Sequence, residues 1–230
     1  MNIFYAPREQ VIGNHIELTG QEAKHASKVL RYRKGDQIQI VDGQGGWFDC
    51  KIVQITDSSL KAEVQNYNII EVPQPEIVLA MGLIKKRDRL EFAVEKSVEL
   101  GVSEIALFRS RHTVKENVRM DRLENTVLSA MKQSLRARLP EVSVLDSLDE
   151  VMDRYSEYHI LIAHEKEDSQ VGIDYSLKSK DKLLLLVGPE GGFSDEEIKF
   201  AKKRGAEIIS LGKYRLRAET AAIAFLSQFI

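Results

Sequence analysis

Leu183-Leu184-Leu185-Leu186-Val187-Gly188-Pro189-Glu190-Gly191-Gly192-Phe193-Ser194-Asp195-Glu196-Glu197 decides how this chain is read. Five apolar residues stop at Gly188, and three glycines and a proline fall within the next five positions. A buried strand therefore feeds a loop whose backbone can adopt conformations closed to residues with a β-carbon. A second strand, predicted over Glu207–Leu211, ends the same way at Gly212. Two strand-end loops this close in sequence are where an open α/β sheet binds a small ligand.

The residues around these loops limit what the ligand can be. Ser194 and Glu197 have the spacing of a capping box, so a helix starts there. Its first turn holds Asp195, Glu196 and Glu197. These carboxylates repel a phosphate, although a bare helix N-terminus attracts one. The loop also lacks the Gly-Lys-Ser/Thr of a P-loop, which argues against a nucleotide-hydrolysing enzyme. A neutral or cationic ligand, such as a nucleoside or a sulfonium, fits the charge; a tight strand-to-helix turn without a ligand is the plainer alternative. Leu211-Gly212-Lys213-Tyr214-Arg215-Leu216-Arg217-Ala218-Glu219-Thr220 carries three cations and then a carboxylate. Arginine suits phosphate and planar groups. A solvated charged loop beside a helix start would explain the same residues.

Composition narrows the field. The chain has 230 residues, 43% hydrophobic and 30% charged, with a net charge of -2. That length holds one or two domains with a real core. Nucleic-acid binding would have to come from local basic patches. The one cysteine, Cys50, excludes an internal disulfide and argues against a thiolate zinc site. The five histidines show no metal-ligand spacing, so no metal is expected. No G-x-S-x-G elbow supports a serine hydrolase. No apolar run approaches the roughly 20 residues that span a bilayer, and the N-terminus has no signal-peptide pattern. A cytoplasmic protein is expected.

Outward from the glycine loops, the chain falls into two parts. Residues 1–72 read as a small β module. Strands are predicted at Ile3–Tyr5, Gln37–Val41, Trp47–Ile55 and Leu60–Tyr67, with Asp42–Gly46 as a turn and a helix capped by Thr19 over Gly20–Leu30. The Glu71–Glu76 segment, with Pro73 and Pro75 about a polar spacer, cannot continue a central strand and reads as the linker. From 73 to 230, strands and helices alternate, which implies a mostly parallel sheet. Its strands are Ile77–Leu83, Glu104–Phe108, Val142–Leu145, His159–Ala163 and the two glycine-loop strands. Helices are expected over Arg89–Leu100, Asp121–Arg136 and Glu219–Ile230, with residues 165–181 as polar loop. The last helix is apolar nearly all round and so should be buried on several sides.

The paired segments G-P-E-G-G-F-S-D-E-E and L-G-K-Y-R-L-R-A-E-T-A resemble the signature loops of the RsmE family. His25–Asp36 is similar to that family's N-terminal PUA-like RNA-binding module. Glu95–Val102 and Gln133–Pro140 are similar to its inner helices, with Lys132 a departure where a glutamate is expected. The resemblance implies a SPOUT methyltransferase domain with a C-terminal trefoil knot, preceded by a small β-barrel PUA-like domain. Such enzymes are homodimers that use S-adenosylmethionine, without a metal, to methylate N3 of a uridine in 16S ribosomal RNA, here expected in the small ribosomal subunit and not at a membrane. The two other readings are a SPOUT ribose 2'-O-methyltransferase and a non-catalytic ribosome-assembly protein that binds RNA.

On this resemblance the cofactor lies against Leu186, Gly188, Pro189, Glu190, Gly191, Gly192, Leu211, Gly212 and Leu216. Arg217 and Arg215 are expected to stabilise charge on the uracil oxygens. Glu190 and Glu219 are the candidates for the base. The basic residues expected to meet RNA are Arg31, Arg33 and Lys34 in the first domain. In the second they are Arg109, Arg111, Arg136 and Arg138.

Overall fold

The computed structural model of the protein describes residues 2–113, 118–164 and 180–229. Most of the expected polar loop at 165–181 lies outside these residues. The chain forms two compact units: Met1–Val72 with Met131–Leu139, and Pro73–Ala130 with Pro140–Ile230.

The first unit is built on β1 (Ile3–Tyr5), β2 (Val11–Ile12), β3 (His15–Thr19), β4 (Gln37–Val41), β5 (Gly46–Ile55) and β6 (Ser59–Ile69). They form one sheet in the order β1-β4-β5-β6-β3-β2. β1 runs parallel to β4, and the other pairs are antiparallel. Alternate residues of these strands, including Ile16, Leu18, Ile38, Ile40, Phe48, Ile52 and Leu60, make the core with Phe4. β2 and β3 are additions to the expected strands. β2 has two residues, too few for a pattern, and β3 follows it through a hairpin at Gly13, whose φ is +59°.

The expected Gly20–Leu30 helix is α1 (Gly20–Lys24) followed by a π-helical turn over His25–Val29. The Thr19 side chain makes no capping bond; its hydroxyl instead accepts from Gln10 Nε2 at 3.5 Å.

The second unit is a six-stranded parallel sheet. In chain order it contains β7 (Glu76–Gly82), α2 (Arg87–Glu99), β8 (Glu104–Phe108), α3 (Met120–Gln133), β9 (Glu141–Leu145), α4 (Leu148–Arg154), β10 (His159–Ala163), β11 (Lys182–Val187), α5 (Asp195–Lys203), β12 (Glu207–Ile209) and α6 (Ala218–Leu226). The strand order is β12-β10-β11-β7-β8-β9. The chain moves outward from β7 through β8 to β9, then crosses back, and β11 is inserted between β10 and β7. Every side chain from Leu183 to Val187 is buried, which is why this strand is apolar on both faces. The order reverses beside β7 and β11, and a crevice forms there at the strand carboxyl ends. Among the described residues, no helix is long and apolar enough to cross a membrane.

The end of α3 departs from the sequence reading. The helix stops at Gln133 rather than Arg136. Leu135 takes a left-handed φ of +56°, which no right-handed helix accommodates. The next few residues belong to the first unit, where Gly45 N donates to Ala137 O (3.1 Å) and Leu139 N donates to Gly43 O (2.9 Å).

Candidate active site

Two loops and the end of one strand make the site. Pro189 packs against the carboxyl end of β7, where only glycine leaves room: a β-carbon on Gly82 would stand 2.6 Å from Pro189 Cδ and 2.7 Å from Pro189 N. Within the loop, Gly192 N donates to Pro189 O at 2.9 Å, and Gly192 takes a φ of +70°. A β-carbon on Gly188 would crowd Gly192 and Phe193 at 3.0–3.2 Å. The loop is then locked from outside. Glu190 Oε1 accepts from Lys85 N at 2.9 Å, and His112 Nδ1 lies 3.1 Å from Gly192 O.

The helix after the loop starts as its sequence implied. Ser194 and Glu197 complete the capping box, with bonds of 3.2 and 2.7 Å. Glu197 is buried, and its second oxygen accepts from Arg111 N at 3.1 Å. One carboxylate thus ties the start of α5 to the loop after β8.

These elements enclose a cavity of about 650 Å³, lined by residues 187–195, by 210–212 and 214–218, and by Arg89, His112, Ala163, His164 and Ala221. That volume suits a drug-sized ligand. Of the residues expected against a cofactor, Gly188, Pro189, Glu190, Gly191, Gly192, Leu211, Gly212 and Leu216 line it. Leu186 does not; it is fully buried one residue back along β11. The lining offers loop backbone for an adenosine and the carboxylates of Glu190 and Asp195 for a positive centre, so its donor set fits a sulfonium nucleoside.

Arg215, Arg217 and Glu190 line the cavity with exposed side chains. Glu219 is absent from the lining: it is 7% exposed and sits 3.5 Å from Arg89 Nε. As the second residue of α6 it turns toward α2, so it holds Arg89 at the cavity wall. Arg89, His112 and Tyr214 are wall residues the sequence did not single out as such. Arg89 arrives from a helix more than a hundred residues earlier in the chain, and no local pattern marks that. Tyr214 stands in plain view inside the second loop.

The basic residues divide. Arg31, Arg33 and Lys34 are exposed in the first unit. Arg109 pairs with Asp146, and Arg111 with Glu196 at 2.7 Å, both at the surface of the second unit. Arg136 and Arg138, expected in the second domain, belong instead to the first unit. Arg138 Nε donates to Ile70 O at 3.1 Å, and its guanidinium lies over Gly45. Arg136 is half buried, and burial pushes its guanidinium below its usual value. The reason is the early end of α3, which carries this segment into the first unit. Among the described residues, no group of His, Cys, Asp and Glu could hold a metal ion.

Known proteins share this arrangement. Residues 71–230 match the RNA methyltransferase domain family, and residues 18–65 match the RNA methyltransferase PUA domain. The chain is 31% identical over 186 residues to ribosomal RNA small subunit methyltransferase E of Mesomycoplasma hyopneumoniae, covering 78% of this chain and 80% of the relative. It is 29% identical over 231 residues to the protein of that name in Rickettsia conorii, covering 99% and 94%. The crystal structure of the Neisseria gonorrhoeae ribosomal RNA small subunit methyltransferase E bound to S-adenosyl methionine superimposes with a TM-score of 0.87 at 28% identity, covering 98% of this chain and 95% of that one. With its sheet order, its paired glycine loops and these matches, the chain belongs to the RsmE family of RNA methyltransferases.

Proposed function

We propose that this protein transfers the methyl group of S-adenosylmethionine to N3 of a uridine in 16S ribosomal RNA, acting on the small ribosomal subunit in the cytoplasm. The observation that carries this reading is the cavity of about 650 Å³ between the Gly188–Gly192 and Leu211–Leu216 loops at the carboxyl ends of a parallel sheet. The Neisseria relative with a similar fold was solved with S-adenosyl methionine bound.

When bound, S-adenosylmethionine supplies a methyl carbon already activated by its sulfonium. The protein's own task is alignment and freeing the nitrogen lone pair. Fixing two reactants in a near-attack geometry can contribute about 7–11 kcal/mol. Gly82 lets Pro189 seat tightly, and Glu190 and His112 brace the loop, so the cavity wall is preorganised. Uracil N3 carries a proton at neutral pH and must lose it as the nitrogen–carbon bond forms. Arg217 and Arg215 stabilise the charge that develops on the uracil oxygens. Glu190, with one oxygen on Lys85 N, has the other to receive the proton. Glu219 positions Arg89 rather than acting as the base.

The functional domains are taken as 1–72, a PUA-like barrel that binds RNA through Arg31, Arg33 and Lys34, and 73–230. β-Bulges at Asp49/Cys50 and Ile52/Gln54 favour the strand coiling a barrel needs. The C-terminal segment passes through the loop closed by Gly188–Phe193 as a trefoil knot. In support, β12 lies at the sheet edge beside β10, while α6 packs back on β11 and β7. Single-molecule extension from both termini should leave a contour length short by the knot. Two copies form the active enzyme, joined through the apolar surface that Phe92, Ile223 and Ala224 leave partly exposed. Sedimentation should give twice the 26.1 kDa chain mass.

The deciding experiment is mass spectrometry of 16S rRNA from small subunits incubated with protein and isotopically labelled donor. The label should appear on one uracil base. A label on ribose, or none at all, would sink this reading.

A further inference from the structure

We propose that the ring of Tyr214 is the platform on which the target uracil stacks once it has left the RNA helix or loop. This rests on the uridine-N3 reading of the site. N3 lies on the Watson–Crick edge of uracil, so a paired base must leave its partner before a methyl group can reach it. A base presented singly is held by stacking on an aromatic face and by bonds to its edges.

The rings of His112, His164, Phe193 and Tyr214 line the cavity, and those of His112 and Phe193 are held by the protein. Phe193 is buried and stacks on Phe108, with centroids 6.2 Å apart and planes 13° from parallel. His112 is held to Gly192 O. His164 is half-buried at the end of β10, where its backbone N–H donates to Ile209 O at 3.1 Å. Tyr214 is 87% exposed, the most exposed of the large hydrophobic side chains among the described residues, and it makes no hydrogen bond or ring contact with them. A large ring left in water contributes nothing to folding. Its neighbours are Lys213 and Arg215, with Arg217 two residues further on the same loop. An aromatic ring between cations at the mouth of a cavity is the arrangement that binds single-stranded nucleic acid, cations on the backbone and ring on the base. The hydroxyl is not required for stacking, and the ring face is.

Wild-type protein, Tyr214→Phe, Tyr214→Leu and Tyr214→Ala would be compared on small ribosomal subunits carrying unmethylated 16S rRNA. Donor affinity would be measured by calorimetry and oligomeric state by sedimentation. Because the side chain is exposed, all variants should fold. The expected result is Phe near wild type, and Leu and Ala with kcat/KM for RNA lowered about 5- to 150-fold, the range of base–aromatic stacking. Donor affinity and oligomeric state should not move. An Ala variant with unchanged kcat/KM, a Leu variant as good as Phe, an equal loss of donor affinity, or a dissociated oligomer would each overturn the assignment. Failure of the wild-type protein to methylate rRNA would overturn the functional reading itself, a different outcome from an active wild type beside an unimpaired Ala variant.

Discussion

Asp42-Gly43-Gln44-Gly45-Gly46 and Gly188-Pro189-Glu190-Gly191-Gly192 look alike as sequence: each comes after a strand and each is dense in glycine. Their surroundings differ. The first is filled by the chain itself. A β-carbon on Gly45 would meet Ile70 O at 2.6 Å and Arg138 Nη2 at 2.7 Å, and Asp42 Oδ1 takes the N–H groups of Gln44 and Gly46, each at 2.8 Å. The second is packed by Gly82 and Phe193 and by His112, which would stand 2.8 Å from a β-carbon on Gly191, yet the loop still lines the cavity. Glycine permits close approach in both places. Protein stands against both Gly43 and Gly45 in the first loop, whereas a β-carbon on Gly192 of the second would meet nothing within 4 Å, and Gly192 faces the cavity. The same contrast separates the arginines: Arg138 is part of the filling of the first loop, and Arg215 and Arg217 stand in front of the second.

Substitutions that act on one loop and spare the other test this contrast. The largest effect should come from Arg217→Ala. Removing a group that stabilises developing charge typically costs on the order of 10²–10³ in kcat. Methyl transfer should fall by that factor while calorimetric donor affinity holds; near-normal turnover would remove Arg217 from the chemistry. Gly45→Ala should come next. Its φ of +103° and the nearness of Ile70 O and Arg138 leave no space, so thermal and denaturant unfolding should show a loss of about 1–3 kcal/mol. Donor affinity of the folded fraction should be that of wild type, and an unchanged unfolding midpoint would mean that this loop is not filled.

Arg138→Ala should cost about 1 kcal/mol, because Ile70 O loses its donor. If stability held and RNA affinity fell instead, its expected role toward RNA would stand. The smallest effect is expected at Cys50. It is buried, and burial with the neighbouring Asp49 pushes its thiol up to about 12. The group therefore stays protonated at all working pH values below that, and the thiolate is the reactive form. Native protein should not react with a thiol reagent at pH 8, and should react on unfolding; labelling of the native state would show that the β4–β5 region opens.

Much of the second unit is legible in the sequence because its signals are local. The uniform apolar run Leu183–Val187 marks a strand buried on both faces, and Ser194 with Glu197 marks a helix start whatever surrounds it. The glycine loops are legible for the same reason, and most of the residues expected against a cofactor stand in the cavity wall. β3 carries a local alternation too, with Ile16 and Leu18 buried, although it was not among the expected strands. β2 is not legible, because a two-residue strand has no pattern of its own and gains its stability from neighbours. Nor is the end of α3. Its turn at Leu135 is stabilised by bonds that Ala137 and Leu139 make to the distant Asp42–Gly46 loop.

The amino-acid sequence alone determined that Leu183–Val187 is a strand buried on both faces, where the two glycine loops lie and that the acidic helix start after the first disfavours a phosphate. Backbone conformation and burial depend on runs of a few residues, so these features are written locally. Only the tertiary structure decided that Met131–Leu139 completes the first unit, that Glu219 lies behind the cavity wall and pairs with Arg89 in it, and that Tyr214 is left bare at its mouth. Each depends on which distant residue occupies the neighbouring space, and space is shared among segments that the order of residues does not bring together.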